Sequence, residues 1–357
     1  MHHSTKTAFV AALASLAVPA VASAATKTVD MGEPASTTKT FERQYGSDAN
    51  AFFPSSVSVH VGDKVKFVPT GFHTVEFVGK GAKPTPLLSP NGQTTAEKDA
   101  AGADFWFNGR PVVSFTPSLL NMLYGKSVSF DGTKTVQSGL PLANKPKPVT
   151  IAFKKAGTFT YLCTIHAGMK GTVKVLAKSK PVPSAKADAQ RVKRQVAAAL
   201  KVAKGLAATK PPANTVSFGA AGPGGVDSYG IFPSNLTVST GTTVTFTMPA
   251  RSTEVHTATT GPGNPEKEPK SYLGVLASSL EGPAWDSAAV YPSDAPGAPA
   301  SLTPTSHGNG FWNSGVMDAS NAKPQLPSSN KVTFAAPGTY QFYCMIHPFM
   351  HGTVTVK

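Results

Sequence analysis

Phe53-Pro54-Ser55-Ser56-Val57-Ser58-Val59-His60-Val61-Gly62 and Phe232-Pro233-Ser234-Asn235-Leu236-Thr237-Val238-Ser239-Thr240-Gly241 are one stretch written twice. Each runs on into an alternating segment, Lys64-Val65-Lys66-Phe67-Val68 and Thr243-Val244-Thr245-Phe246-Thr247. Further along, Gly157-Thr158-Phe159-Thr160-Tyr161-Leu162-Cys163 matches Gly338-Thr339-Tyr340-Gln341-Phe342-Tyr343-Cys344. The closing Gly171-Thr172-Val173-Lys174-Val175 likewise matches Gly352-Thr353-Val354-Thr355-Val356. β-Branched and aromatic residues alternate at period two between Gly and Pro punctuation, which predicts short antiparallel strands. The repeated set predicts an all-β chain of two tandem Greek-key β-sandwich or barrel domains, over 25–176 and 211–357.

Between them, 177–210 is of another kind. Lys178-Ser179-Lys180-Pro181-Val182-Pro183 is a stiff basic entry, and Ser184 is a candidate N-cap for a helix running to about Lys204. Val192, Val196, Ala199, Leu200 and Ala203 share one face of it, with most of the basic residues elsewhere. Such a linker either packs its apolar stripe on a sandwich or docks on an anionic surface or acidic partner. The chain carries 33 Lys and Arg against 19 acids, a net +14. The excess sits in the first domain (+7) and the linker (+8), while the second domain is −2. At the N-terminus a short basic region, an Ala-rich apolar run and Ala22-Ser23-Ala24 predict a signal peptide over 1–24. Export to the periplasm, cell surface or medium makes nucleic acid an unexpected partner, so the charge is read as a docking feature.

The residues that carry chemistry are Cys163-Thr164-Ile165-His166-Ala167-Gly168-Met169 and Cys344-Met345-Ile346-His347-Pro348-Phe349-Met350. Each is Cys-x2-His-x2-Met on the loop after a predicted strand. A second histidine ends an upstream strand in each repeat, His73 and His256. One thiolate, two imidazoles and a thioether suit copper, and a His2Cys set with a weak Met ligand suits electron transfer. A disulfide between Cys163 and Cys344, the only two cysteines, is the competing reading and needs the two loops face to face.

At these residues the sequence resembles the cupredoxins, the small blue-copper proteins, and the loop Cys344–Met350 has the spacing of the amicyanin loop. The resemblance implies two tandem cupredoxin-like, plastocyanin- or amicyanin-like domains with two type 1 copper ions per chain. His73, Cys163, His166 and Met169 would ligate one, and His256, Cys344, His347 and Met350 the other. There are departures from the family pattern. Ninety positions separate His73 from Cys163 and 88 separate His256 from Cys344, far more than in the small members. The extra segment is itself repeated, Trp106 with Trp285 and Val136-Gln137-Ser138-Gly139 with Trp312-Asn313-Ser314-Gly315. It is expected either to shield the copper or meet a partner, or only to cover a sheet edge. Thr74 and Thr257 stand where the family often has Asn, so the tether between strands is expected to differ. Ile165 and Ile346 replace a Pro, restoring an N–H that could donate to the thiolate.

Two-domain members include copper nitrite reductases and laccases, which join their coppers through a His beside the ligand Cys. Here the neighbours are Leu162 and Thr164, and Tyr343 and Met345. Only His60, His307 and His351 remain beyond the first 24 residues and the proposed ligands, and His60 is expected on a solvated strand face. The reading is therefore an electron carrier between protein redox partners, with copper buffering or delivery, or a two-domain oxidoreductase, as the alternatives.

Overall fold

A computed structural model describes residues 24–320 and 325–357. The predicted signal peptide lies, but for its last residue, outside the described residues. The repeated strands form two pairs of sheets. In the first pair, the order Phe52–Phe53, Thr26–Met31, Lys64–Pro69, Val149–Phe153, Ser127–Phe130 packs on Val136–Gln137, Glu76–Phe77, Gly157–Leu162, Lys170–Leu176, Ser56–His60. The two sheets share one core, with Val29, Phe67 and Ile151 from one meeting Phe77, Tyr161 and Val173 from the other. The second sandwich repeats this about Phe218, Phe246, Val332, Phe342 and Val354. The alternation works as read: Val65 and Phe67, like Val244 and Phe246, point inward from their strands. The fold is all-β, with helices only as connections.

Not every pairing is antiparallel, however. The hairpins Gly157–Leu162/Lys170–Leu176 and Gly338–Tyr343/His351–Val356 are, but Ser56–His60 runs parallel to Lys170–Leu176 and Asn235–Val238 parallel to His351–Val356. Strands joined by a tight turn must be antiparallel, whereas partners far apart in sequence arrive from the other sheet with free choice of direction.

The helix Ala185–Leu206 begins at Ser184, whose side chain accepts from the Ala187 N–H. Its stripe is buried with Phe41, Phe53 and Val226, residues of both halves. Arg191 donates to the Ser56 carbonyl at 2.7 Å and Gln195 to that of Phe52 at 2.8 Å, so part of its polar face is turned inward too. Beside it, Ser47–Ala49 leaves the first half of the chain and adds a strand to the second sandwich by pairing with Val226–Phe232. The first insert crosses as well: Phe105 and Phe107 are buried against Leu273, Phe311, Tyr343 and Met345. The two sandwiches are thus sewn together at three places. Among the described residues no helix is long and apolar enough to cross a membrane.

Candidate metal centres

Each centre is assembled by the same local device. The strand Gly157–Leu162 delivers Cys163, whose N–H donates to the Met169 carbonyl at 2.9 Å, and the Met169 N–H donates back to His166 O at 3.1 Å. In the second loop Cys344 N–H meets Met350 O at 3.2 Å and Met350 N–H meets His347 O at 2.8 Å. These two bonds pinch a seven-residue loop shut. They keep Met169 and Met350 buried in the same clusters as Cys163 and Cys344.

The upstream histidines close the sites. His73 Nδ1 lies 2.9 Å from His166 Nδ1, and Cys163 Sγ is 3.6 Å from the latter. His256 Nδ1 lies 3.1 Å from His347 Nδ1, with Cys344 Sγ at 3.6 and 3.7 Å from the two. Donor atoms held by one ion, about 2.0 Å from nitrogen and about 2.3 Å from sulfur, are at most about 4.3 Å apart, and every one of these distances is shorter. The chemistry of the set, a single thiol and two imidazoles shielded from water, fits copper. Glycines make room for the rings: a Cβ on Gly32 or Gly71 would stand 2.9 Å from the His73 ring, and one on Gly219 3.2 Å from His256 Nε2. The structure therefore brings together His73, Cys163 and His166, and His256, Cys344 and His347. Both cysteines are free, each in its own core, which removes the disulfide reading.

The tether is carried by threonine. Thr74 N–H points at Cys163 Sγ (3.4 Å), while its hydroxyl accepts from the Thr164 N–H at 2.8 Å. Thr257 N–H does the same for Cys344 at 3.4 Å, and its hydroxyl takes the Met345 N–H at 2.8 Å. The repeated end of each insert fixes the next residue: Ser138 Oγ accepts from Val75 N–H and Ser314 Oγ from Ala258 N–H. The inserts thus both brace the ligand strands and join the halves. His307 ties them further, its ring lying between Asp99 of the first insert (3.2 Å) and Asp294 of the second (3.5 Å). His60 is not fully solvated; its Nε2 meets the Lys180 carbonyl at 2.8 Å.

The two sites differ electrostatically for a reason outside their loops. His166 Nε2 is 3.0 Å from Glu254 Oε1, whereas His347 Nε2 is 3.7 Å from Glu254 Oε2. Burial alone would lower the His166 pKa, but the Glu254 charge and the thiolate outweigh it and raise it well above the usual value. Burial likewise opposes ionisation of Cys163, and the hydrogen bonds of His166 and His73 overcome it, holding the thiol well below its usual range. At the second site burial wins: His256 is lowered to about 3, His347 is lowered, and Cys344 is pushed up to about 11. Glu254 is the residue that loop motifs missed. The signal was present, since the position two before the ligand histidine is Gly71 in one repeat and Glu254 in the other.

Both loop histidines open onto a cleft of about 2580 Å³ between the sandwiches, lined by Phe72, Leu142, Tyr229, Trp285, Leu326 and Phe349 among others. Phe72, Leu142, Leu326 and Phe349 are its exposed apolar side chains. No family model and no curated protein matches the chain. Among solved structures it is similar to a methionine-to-alanine variant of amicyanin in its Cu(I) form, at 19% identity over 43% of this chain and 89% of that one, TM-score 0.22. It is also similar to oxidized plastocyanin from Dryopteris crassirhizoma, at 24% identity over 40% and 99%, TM-score 0.20.

Proposed function

We propose that this chain is an exported, tandem cupredoxin-like protein that carries electrons between protein redox partners. In this reading His73, Cys163, His166 and Met169 hold one copper and His256, Cys344, His347 and Met350 a second. The observation that carries it is the buried thiol facing two imidazole Nδ1 atoms, formed twice at matching places. Copper in such a set supplies reversible one-electron chemistry. The protein's part is to fix mixed ligands on rigid strands, to direct N–H groups at each sulfur and to keep water out. The apolar cleft at His166 and His347 supports docking of a protein partner there, and residues 1–24 support export.

Copper titration followed by visible absorption and EPR tests the reading. Two equivalents and two intense blue centres are expected, with Cys163→Ser deleting one and Cys344→Ser the other. Colourless copper that a chelator removes readily would favour delivery instead, and turnover of nitrite or a phenol would favour an oxidoreductase.

A further inference from the structure

Glu254 sits where the two halves meet and is 6% exposed. Its two oxygens address two ligand rings of different sandwiches, His166 Nε2 at 3.0 Å and His347 Nε2 at 3.7 Å. These are the ring nitrogens left over once each Nδ1 faces its thiol. The carboxylate is itself fixed: Tyr229 OH donates to it at 3.0 Å and Asn50 Nδ2 at 2.9 Å. Asn50 also donates to Thr253 Oγ1, and Tyr229 OH reaches Asp48 Oδ2, so residues from both halves aim it. Burying a carboxylate is costly unless it is fully partnered. The halves are already fastened by the strand Ser47–Ala49, the helix and the Phe105/Phe107 contact, so a shared charge on two ligand rings is not needed as a fastener.

We infer that Glu254 couples the two centres into one redox unit, bridging His166 (3.0 Å) and His347 (3.7 Å) as a polar route for an electron between them. The inference rests on the copper reading above. The step is a one-electron exchange: the reduced centre is oxidised, the oxidised one is reduced, no bond forms or breaks, and no outside oxidant is consumed. A polar chain of this kind couples better than a gap, and its negative charge favours the oxidised, more positive state of both centres. Glu254 is thus a positioning residue acting through the two rings.

The test uses the full chain with Glu254→Gln and Glu254→Ala. Gln retains the shape but presents one carbonyl and one NH2, so one of the two ring N–H contacts becomes donor against donor. After flash reduction of the copper-loaded protein by less than one electron per chain, re-equilibration between the centres is expected to slow at least tenfold in Glu254→Ala. The slowing should be smaller in Glu254→Gln, and both midpoint potentials should rise in each variant, which a spacer role would not cause. In the copper-free protein the ring N–H resonances of His166 and His347 should both shift in Glu254→Gln. Should either variant fold poorly, Tyr229→Phe, which removes one of the two donors that aim the carboxylate and leaves Asn50, should slow the exchange while leaving the potentials nearly in place. Exchange within twofold of wild type together with unmoved potentials would overturn the inference. If wild type forms no blue centres, the copper reading fails first, and unshifted resonances in the copper-free variant would then overturn the bridge separately.

Discussion

Replacing Glu33 by Gln is expected to stabilise the copper-free protein at pH 8 and to leave it nearly unchanged at pH 4. Glu33 is 3% exposed and its Oε2 accepts from the Ala49 N–H at 3.0 Å. Glu42 and Asp48 each bring a carboxylate oxygen within 4.8 Å of its own. Burial first, and the Asp48 charge second, push the Glu33 carboxyl from 4.5 to about 7. The folded chain therefore keeps a proton that the unfolded chain has already lost between those two values. Where the native state binds more protons, stability falls as pH rises, and the loss is complete above the folded value. The rise from 4.5 to about 7, at about 1.36 kcal/mol per pH unit, amounts to about 3 kcal/mol. Gln keeps an oxygen for Ala49 and never ionises. Its advantage should thus grow from near zero at pH 4 to about 3 kcal/mol at pH 8, with Asp48, raised to about 6 chiefly by burial, relaxing in the same direction. Urea unfolding followed by circular dichroism across this range measures it. A stability difference independent of pH, or a variant weaker than wild type at pH 8, would refute the argument.

Two further substitutions probe the centres one at a time. Gly71→Ala needs no unusual backbone angle, but its Cβ would stand 2.9 Å from the His73 ring; copper affinity of the first centre should fall at least tenfold by competition with a chelator, the second holding. Ile346→Pro deletes an N–H directed at the Cys344 sulfur, and the second midpoint should drop by some tens of mV, the value of about 1 kcal/mol of hydrogen bond to a thiolate; an unchanged potential would sink that idea.

What could be read from the sequence was what is local or duplicated. Cys163, His166 and Met169 lie on one short loop, so spacing alone assembles most of a ligand set, and the repeat then paired His73 with His256. His256 does end a strand, Val255–His256, whereas His73 lies in the connection between Lys64–Pro69 and Glu76–Phe77. The helix from Ser184 announced itself through a cap and an apolar stripe. What escaped was chosen at a distance. Ser47-Asp48-Ala49 has no alternation to mark it, and its partner, Val226–Phe232, lies far along the chain. Phe105 and Phe107 carry no local signal of their packing with Tyr343 and Met345 of the other half. The parallel pairings of Ser56–His60 and Asn235–Val238 could not be foreseen either, because direction is fixed by how the chain crosses between sheets rather than by the strand's own residues.

The same loop motif, built with the same two backbone bonds, yields a depressed thiol at Cys163 and a raised one at Cys344. The immediate cause at Cys163 is the hydrogen bonding of His166 and His73 to its sulfur, although the ligand types and distances nearly coincide at the two sites. Glu254 stands behind His166: it lies closer to this ring of the other sandwich than to His347 of its own, and its charge is the first influence that raises the His166 pKa against burial. A charge that bears on the first centre is therefore supplied by the second half of the chain, as Phe105 and Phe107, packed with Tyr343 and Met345 beside the second centre, are supplied by the first. A duplicated domain could keep each copy self-sufficient; here each copy completes the surroundings of its twin. Separating the halves would remove Glu254 from His166 and Phe105 from Met345 together, so the two centres are properties of the whole chain.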